Sequence, residues 1–545
     1  MKILLVTEKF SPDNTQRDGG ARLVDTLKQG FKNHLSIMQF GGQTNSPATW
    51  SFDYPVNVEH RFEKRLANAE FIAQKVKAVE QQFTHIVFIH ISMQFGFIDI
   101  KLREKIKTWT FPMFLTPSYQ ASGEDVPFKY TEREFLTLAD TQNILTPSYL
   151  EKKQLIEFYS VPKQKIQVVP RGVDTSLLIP KIRFLNTVPE FCSVGSIKPQ
   201  KNILGLIDLF ATVKTRFPRA ILRVVGPVQN QGYYNAVKNK IEKLGLDKVI
   251  KFTGYISPAK LAFIIENSHI HISTSMCETF GRSIFETLAS GIPNIVMVKN
   301  NAAAEFLLNL PYAKFVNDTS EALDAIEQVF NNLPKLSEMA LEIGKLYSDT
   351  ILGKLLVAKI CNKEVIAISD FDGTLFHKNN SEKTKNCVLK FQQFSKKVIC
   401  SARPLDYLVQ EIKHINLKVN WIISYSGAVI SDGEGNILFI TPIDLEDVRR
   451  LEAMVPEAKR VIIEDKIVQM SMPAHLVPDI FDLNVEIYQG TAFVASWHSS
   501  KLRAINKLLN HINWSGTVEA FGDSKYDQEF LTYFDGKLVK TNNKA

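Results

Sequence analysis

Six residues from four separated stretches carry the most specific chemistry in the chain. DFDGT at 370–374 sets Asp370 and Asp372 two positions apart behind the apolar run VIAIS. Side chains alternate along a strand with a period of two, so both carboxylates project to the same side. Asp370 is then placed to attack a phosphorus atom, and Asp372 to handle the proton. A carboxylate nucleophile divides ester hydrolysis into formation and breakdown of an aspartyl phosphate, and the crowded negative charge calls for a hard cation. GDSKYD at 522–527 adds Asp523 and Asp527. Mg²⁺ takes oxygen ligands, keeps part of its water and bridges to phosphate, which fits a set made of Asp370, Asp372, Asp523 and Asp527. Ser401, after a strand, is expected to donate to a phosphoryl oxygen, and Lys501, at a helix start, to offset charge as the trigonal bipyramid forms. Singly, an Asp-Gly turn, a capping serine and a surface lysine are commonplace. The four elements in this order read together as a site for phosphate-ester hydrolysis.

A second constellation is ETFGRSIFETLASGIP at 278–293. Glu278 and Glu286 are eight residues apart, with Phe280, Gly281 and Arg282 where a helix carrying Glu286 begins. Backbone N–H groups at a helix N-terminus, helped by the helix dipole, attract phosphate oxygens. Glu286, about two turns in, is placed to accept hydrogen bonds from ribose hydroxyls. Taken alone, the two glutamates read as ordinary helix chemistry; with Gly195, Lys201, Gly281 and the SGIP turn around them they read as a donor site.

Two resemblances follow from these motifs. The phosphatase set resembles the haloacid-dehalogenase superfamily, in the sugar-phosphatase branch that includes sucrose-phosphate and trehalose-phosphate phosphatases, over about 180 residues. One departure is YSGAVI at 425–430, where many relatives carry Asn before the Gly. The acidic pair resembles that of retaining, nucleotide-sugar-dependent glycosyltransferases of the two-Rossmann (GT-B) fold, in the family that includes sucrose-phosphate synthase. Further marks are Gly19-Gly20, PRGVD at 170–174, SVGSIKPQKN at 193–202 and VVG at 224–226, so this resemblance spans roughly residues 1–361. It implies that Lys201 grips the donor diphosphate, Glu278 the donor hexose and Glu286 the ribose, with Gly19, Gly20, Gly195, Phe280, Gly281 and Arg282 completing the donor site. It implies neither a carboxylate nucleophile nor a metal there. Charge builds on the departing diphosphate, so a fixed ammonium and helix N–H groups stabilise the transition state more than the ground state. Two positions depart from the family pattern. Ser196 stands after Gly195 where relatives carry Arg, leaving Arg282 or Arg171 to compensate, and TPSYQ at 116–120 lacks a histidine, leaving His90 as its substitute.

The elements that must position these residues are short β-branched runs alternating with amphipathic stretches, the signature of parallel sheets with crossover helices. Three units are expected: 1–185, a Rossmann-like acceptor domain; 186–361, a Rossmann-like donor domain closed by one long helix over Lys335–Cys361; and 362–545, a phosphatase domain. The pattern of shorter, alternating strands between about Pro404 and Trp497, ILFI among them, reads as an inserted α/β cap.

Composition agrees. A chain of 545 residues is too long for one core, and 45% apolar with 22% charged residues excludes a disordered or fibrous protein. The net charge is +8, and the basic excess lies before residue 363, with 43 Lys/Arg against 34 Asp/Glu there and 22 against 23 from residue 363 on. That excess suits nucleotide diphosphates or an anionic membrane face, with Lys28, Lys32, Lys64 and Arg65 as candidates for peripheral membrane contact, and scattered cations are also simply solvated. No nucleic-acid motif is present. The five cysteines show no zinc spacing, and the opening apolar run is too short for a signal peptide, so a reduced, cytoplasmic enzyme is expected.

The combined expectation is a bifunctional enzyme. It moves a sugar from a nucleotide sugar to an acceptor, a phosphorylated sugar or glycan, and then removes the phosphate. Two rivals are a glycosyltransferase for cell-surface polysaccharide, lipid carriers or protein with an independent phosphatase, and a nucleotide-sugar sensor marked by Ser196. Pocket shape decides the donor and the acceptor.

Overall fold

The computed structural model describes residues 2–8, 19–31, 34–41, 48–176, 178–185, 188–297, 301–308 and 310–539. The chain forms two compact units, Met1–Ile360 and Cys361–Ala545.

The first unit holds two parallel sheets. One has seven strands in the order Trp50–Phe52, Leu35–Phe40, Ile3–Glu8, His85–Ile89, Lys107–Phe111, Asn143–Thr146 and Ile166–Val168. The other has six, in the order Ile250–Phe252, Ile221–Val225, Glu190–Val194, Ile270–Ser273, Asn294–Met297 and Ala313–Val316. Their central strands are apolar on both faces, as sheets covered by helices on both sides require. In each sheet the chain order reverses beside the first strand, and ligands of doubly wound sheets bind outside the carboxyl ends of the strands at that reversal. In the second sheet this point lies between Glu190–Val194 and Ile270–Ser273. Gly195 and Lys201 follow the former and Glu278 the latter.

The closing helix differs from expectation. Two helices, Leu333–Leu346 and Asp349–Ile360, replace one. The break falls where Ser348 leaves the helical path to form a bridge with Val173, and its hydroxyl accepts from the Ile351 N–H at 3.4 Å. The second helix returns to the helix Gly19–Phe31, beside the first sheet. The two approach so closely that a Cβ on Gly30 would lie 2.5 Å from Val357 Cγ2.

In the second unit the main sheet runs Ile437–Ile440, Val429–Asp432, Trp421–Ser424, Lys396–Cys400, Val365–Ser369, Thr517–Gly522 and Lys537–Leu538. A separate antiparallel sheet, Lys459–Ile463, Lys466–Pro473, Thr491–Ser496 and Leu483–Tyr488, is covered on one face by the helix Leu445–Met454. This separate sheet and its covering helix begin at Leu445, later than the start expected for the inserted cap. The helix Leu405–His414 is a crossover of the main sheet, and Val429–Asp432 with Ile437–Ile440 extends that sheet as an antiparallel edge. Alternation in ILFI reflects this half-exposed edge position rather than membership of the cap.

Candidate functional site

In the second unit, Ser369 is paired with Phe521, so Asp370 and Asp523 emerge from adjacent strand ends. Asp370, Asp523 and Asp527 each offer one oxygen, and these oxygens all lie within 4.8 Å of one another. Asp527, fully buried, accepts from the N–H groups of Asp523 and Ser524 at 3.2 and 3.0 Å and from the Ser524 hydroxyl at 2.8 Å. A backbone cradle of this kind fixes a carboxylate in place. Gly373 has φ +76°, and a Cβ there would lie 2.0 Å from Asp523 Oδ2, so a side chain at this turn would collide with the cluster. Lys501 begins the helix Lys501–His511, which Ser500 caps, and its Nζ stands 2.9 Å from Asp370 Oδ1 and 2.7 Å from Asp527 Oδ1. Burial pushes the Asp370 carboxyl up to about 8; Lys501 works against this, and Asp527 and Asp523 add to it. Burial likewise works to lower the Lys501 pKa, but Asp370, Glu486 and Asp527 together hold it well above the usual value. Three crowded carboxylates beside a single ammonium make a donor set that a divalent cation fits.

Ser401 is buried, and its Oγ accepts from the Arg403 N–H at 3.3 Å. Asp372 departs from the expected ligand set. Its carboxylate lies outside the cluster of three and receives Arg403 Nε at 2.8 Å and Nη2 at 3.1 Å. Phe371, between the two aspartates, is fully buried and stacked on Phe376, while Asp372 faces Arg403. Arg403 also donates to the Tyr488 hydroxyl of the cap at 3.1 Å and lies over the rings of Tyr488 and Tyr407. Neither Arg403 nor Glu486 stood out in the sequence, because an arginine two residues past a serine and a glutamate in an alternating strand have no distinguishing spacing.

In the first unit, the pairing of Phe191 with Ile270 brings the ends of two strands together, and Lys201 Nζ pairs with Glu278. A Cβ on Gly195 would lie 3.2 Å from Lys201 Cε. Gly281, with φ +82°, precedes the helix Arg282–Ala289, and Glu286 is buried on its second turn. Glu286 binds Arg282 Nε at 3.1 Å and Arg22 of the helix Gly19–Phe31. Arg22, Arg282, Glu286 and Asp349 line one pocket. Gly19 and Gly20 open that helix; the loop at 9–18 before it, like Lys32, lies outside the described residues.

Three expectations need correction. The Phe280 ring is buried and stacked on Phe285, at 4.3 Å between centroids, so it serves the core, and only its backbone can meet a ligand. Arg282 does not replace the missing cation beside Gly195, since it is committed to Glu286 and Asp349. Arg171 donates to Met113 Sδ at 3.0 Å and sits in the field of Glu151. Lys198, in SVGSIKPQKN, is a further cation of this segment. Burial lowers the Lys198 pKa, and Lys201, Arg61, Glu124 and Glu278 are the charges that act on it. Nothing in sequence spacing distinguishes Lys198 from a solvated lysine.

TPSYQ forms part of the helix Thr116–Ala121 and is structural: Ser118 donates to Gln154, and the Tyr119 ring packs on Phe62 and Phe114. His90 ends the strand His85–Ile89 with φ +76°. Its Nδ1 accepts from the Ser92 N–H at 3.2 Å, while Nε2 is buried without a hydrogen-bond partner. Burial, with Arg65 and Arg61 nearby, lowers its pKa well below the usual value, so the ring is neutral. No helix among the described residues is long and apolar enough to cross a membrane.

Residues 175–345 match the family of glycosyl transferases group 1, and residues 367–468 match the haloacid dehalogenase-like hydrolases. The chain thus joins a glycosyltransferase domain of that group to a haloacid dehalogenase-like hydrolase domain. Among curated proteins it is similar to the probable sucrose-phosphate synthase of Thermosipho melanesiensis, 26% identical over 55% of this chain and 72% of the relative. It is also similar to the mannosylfructose-phosphate synthase of Agrobacterium fabrum, 24% identical over 33% of this chain and only 43% of the relative. Among solved structures, sucrose-phosphate synthase from Thermosynechococcus elongatus superposes with a TM-score of 0.56 at 16% identity, covering 66% of this chain and 98% of that one. Anabaena HepE in complex with UDP and glucose superposes at 0.54 and 13% identity, over 66% and 99%. At these identities the superpositions establish the fold, a GT-B pair of Rossmann-like domains.

Proposed function

We propose that the first unit transfers a hexosyl group, with retention, from a nucleotide sugar to a phosphorylated acceptor, and that the second hydrolyses a phosphomonoester through an aspartyl phosphate. The observation that carries the hydrolytic half is the placement of Asp370 within the Asp523–Asp527–Lys501 cluster. Asp370 attacks phosphorus, and the departing alkoxide takes a proton from Asp372. Water then attacks the acyl phosphate, giving a proton back to Asp372 and releasing phosphate with Asp370 restored. Ser401 and Lys501 hold the phosphoryl oxygens while charge spreads over them. Asp370, Asp523 and Asp527 would hold Mg²⁺, which supplies charge neutralisation for the incoming phosphate.

In the transfer half, Lys201 and Lys198 are the cations available to the diphosphate, with the N-terminus of the helix Arg282–Ala289 beside them. Glu278 is read as the hexose contact and Glu286 as the ribose contact; Lys201 pairs with the former, and Arg22 and Arg282 with the latter. Arg61, whose charge acts on both Lys198 and His90, adds to a cationic cleft that suits an anionic acceptor. The names of the relatives, which make sucrose phosphate and mannosylfructose phosphate, support the same order of steps. Hydrolysis of a phosphorylated product makes such a sequence irreversible in practice.

A coupled assay tests the proposal. Inorganic phosphate should appear when nucleotide sugar, phospho-sugar acceptor and Mg²⁺ are all present, and the dephosphorylated glycoside should accumulate with it. Release of nucleoside diphosphate by Asp370→Asn with no phosphorylated product at any time would defeat the sequential reading.

A further inference from the structure

Three loops meet at the carboxyl end of the second parallel sheet. The turn Pro199–Lys201 is tied to the segment after the strand Ile270–Ser273, since the Met276 N–H donates to the Gln200 carbonyl at 2.8 Å and Gln200 Nε2 to the Cys277 carbonyl at 3.0 Å. That segment is tied in turn to the one that follows the strand Asn294–Met297. Glu278 forms a parallel bridge with Asn301, and the Ala302 N–H donates to the Glu278 carbonyl at 2.9 Å. The alanines after Asn301 let this third loop lie close against Gly281, where a Cβ would fall 3.3 Å from Ala303 Cβ and 3.5 Å from Asn301 Oδ1. Asn301 therefore stands beside Glu278 and beside the residue that precedes the helix Arg282–Ala289.

The amide of Asn301 is only half used. Its Oδ1 accepts from the Ala303 N–H at 3.1 Å, which fixes the side chain. Its Nδ2 has no hydrogen-bond partner, although the residue is 6% exposed. Buried amide donors in native proteins are nearly always matched, so a donor left over at this place calls for an acceptor that a ligand brings. A nucleotide sugar carries two kinds of oxygen for it. A diphosphate oxygen would come against the Glu278 carboxylate, and like charges repel. A sugar hydroxyl is donor and acceptor at once, so it gives its proton to Glu278 and takes the Nδ2 hydrogen, or two neighbouring hydroxyls divide these roles. A carboxylate and an amide N–H side by side thus match a hydroxylated ring rather than a phosphate.

We propose that Asn301 is a specificity-determining contact for the hexosyl group of the donor, giving a hydrogen bond where the neighbouring Glu278 accepts one. The inference rests on the transfer reading and deepens it. The donor it selects keeps a free hydroxyl within reach of Nδ2, and the nucleoside diphosphate left after transfer makes no contact with Asn301.

Isothermal titration calorimetry on the full chain tests this, with UDP-glucose, ADP-glucose and GDP-mannose each set beside its own nucleoside diphosphate. For a pair that binds the wild type, Asn301→Ala should weaken the nucleotide sugar about tenfold, the scale of one hydrogen bond, and leave the nucleoside diphosphate within about twofold. Asn301→Ser keeps an oxygen for the Ala303 N–H but is too short to replace Nδ2, so it should show the same selective loss. Equal weakening of both ligands would make Asn301 a support of the loop or a diphosphate contact and would overturn the inference. Wild-type affinity for the nucleotide sugar in either variant would overturn it too. A wild type that binds a nucleoside diphosphate and none of the three nucleotide sugars would overturn it while leaving a nucleotide site in place. Binding of none of the six ligands would remove the donor reading and the inference together.

Discussion

Arg403 grips the Asp372 carboxylate through two hydrogen bonds, of 2.8 and 3.1 Å, while its guanidinium is stacked on the cap residue Tyr488. The proton-handling group of the proposed phosphatase is therefore oriented by a residue that also touches the cap. Bidentate pairing fixes direction as well as distance, and an ammonium cannot reproduce it. Arg403→Ala should lower kcat for phosphomonoester hydrolysis by ten- to a hundredfold, and Arg403→Lys should recover only a minor part of it. Steady-state phosphate release checks this; a lysine variant with wild-type kcat would show that charge alone matters at this position.

The two proposed activities belong to separate compact units, each with its own charge cluster. Lys201→Ala removes the partner of Glu278 and the ammonium nearest Gly195, and should reduce sugar transfer by about a hundredfold or more, the scale of losing one transition-state charge contact. Phosphate release from a preformed sugar phosphate should be unaffected. Asp370→Asn should do the reverse and let the phosphorylated glycoside accumulate. Chromatography of the products from both variants gives the answer, and loss of both activities in either variant would contradict independent sites.

Much of this arrangement was legible in the sequence. Strand runs ending in DFDGT and GDSKYD place Asp370 and Asp523 at neighbouring strand ends, because a parallel sheet aligns the carboxyl ends of its strands, and the same logic joins Lys201 to Glu278. What sequence spacing could not supply was where a side chain turns after its strand ends. Asp372 swings to Arg403, and the Phe280 ring turns into the core; each depends on tertiary packing. The division of Lys335–Cys361 into two helices was likewise hidden, since apolar periodicity continues across Ser348 and only the bridge to Val173 interrupts it.

A divalent ion bound only by the folded chain must stabilise it. Adding Mg²⁺ to metal-free protein should raise the midpoint of the unfolding transition that belongs to the second unit, and Asp523→Asn should abolish most of the rise. Because Asp370, Asp523 and Asp527 repel one another without an ion, Asp523→Asn should also be at least as stable as the wild type in chelator. Differential scanning calorimetry with and without Mg²⁺ decides; equal responses of both proteins to the ion would place the binding site elsewhere.

Glu151 gives the first unit a pH-dependent stability. Its carboxylate is fully buried, both oxygens lack hydrogen-bond partners, and burial, opposed by Arg171, raises its pKa from 4.5 to about 8. The folded state therefore holds a proton that the unfolded chain releases near 4.5. The stabilisation is fully present below that value and is lost as the pH rises through about 8. Glu134 and Glu305, each raised to about 7, slope the same way, so the useful quantity is the difference between the wild type and Glu151→Gln. Between about pH 5.5 and 8.5 the wild type should lose about 3 kcal/mol more than the glutamine variant, because a tenfold change in proton affinity is equivalent to about 1.4 kcal/mol. Urea unfolding of the two proteins at those pH values measures it; parallel losses would mean that Glu151 is already ionised in the folded chain, with Arg171 as its counter-charge.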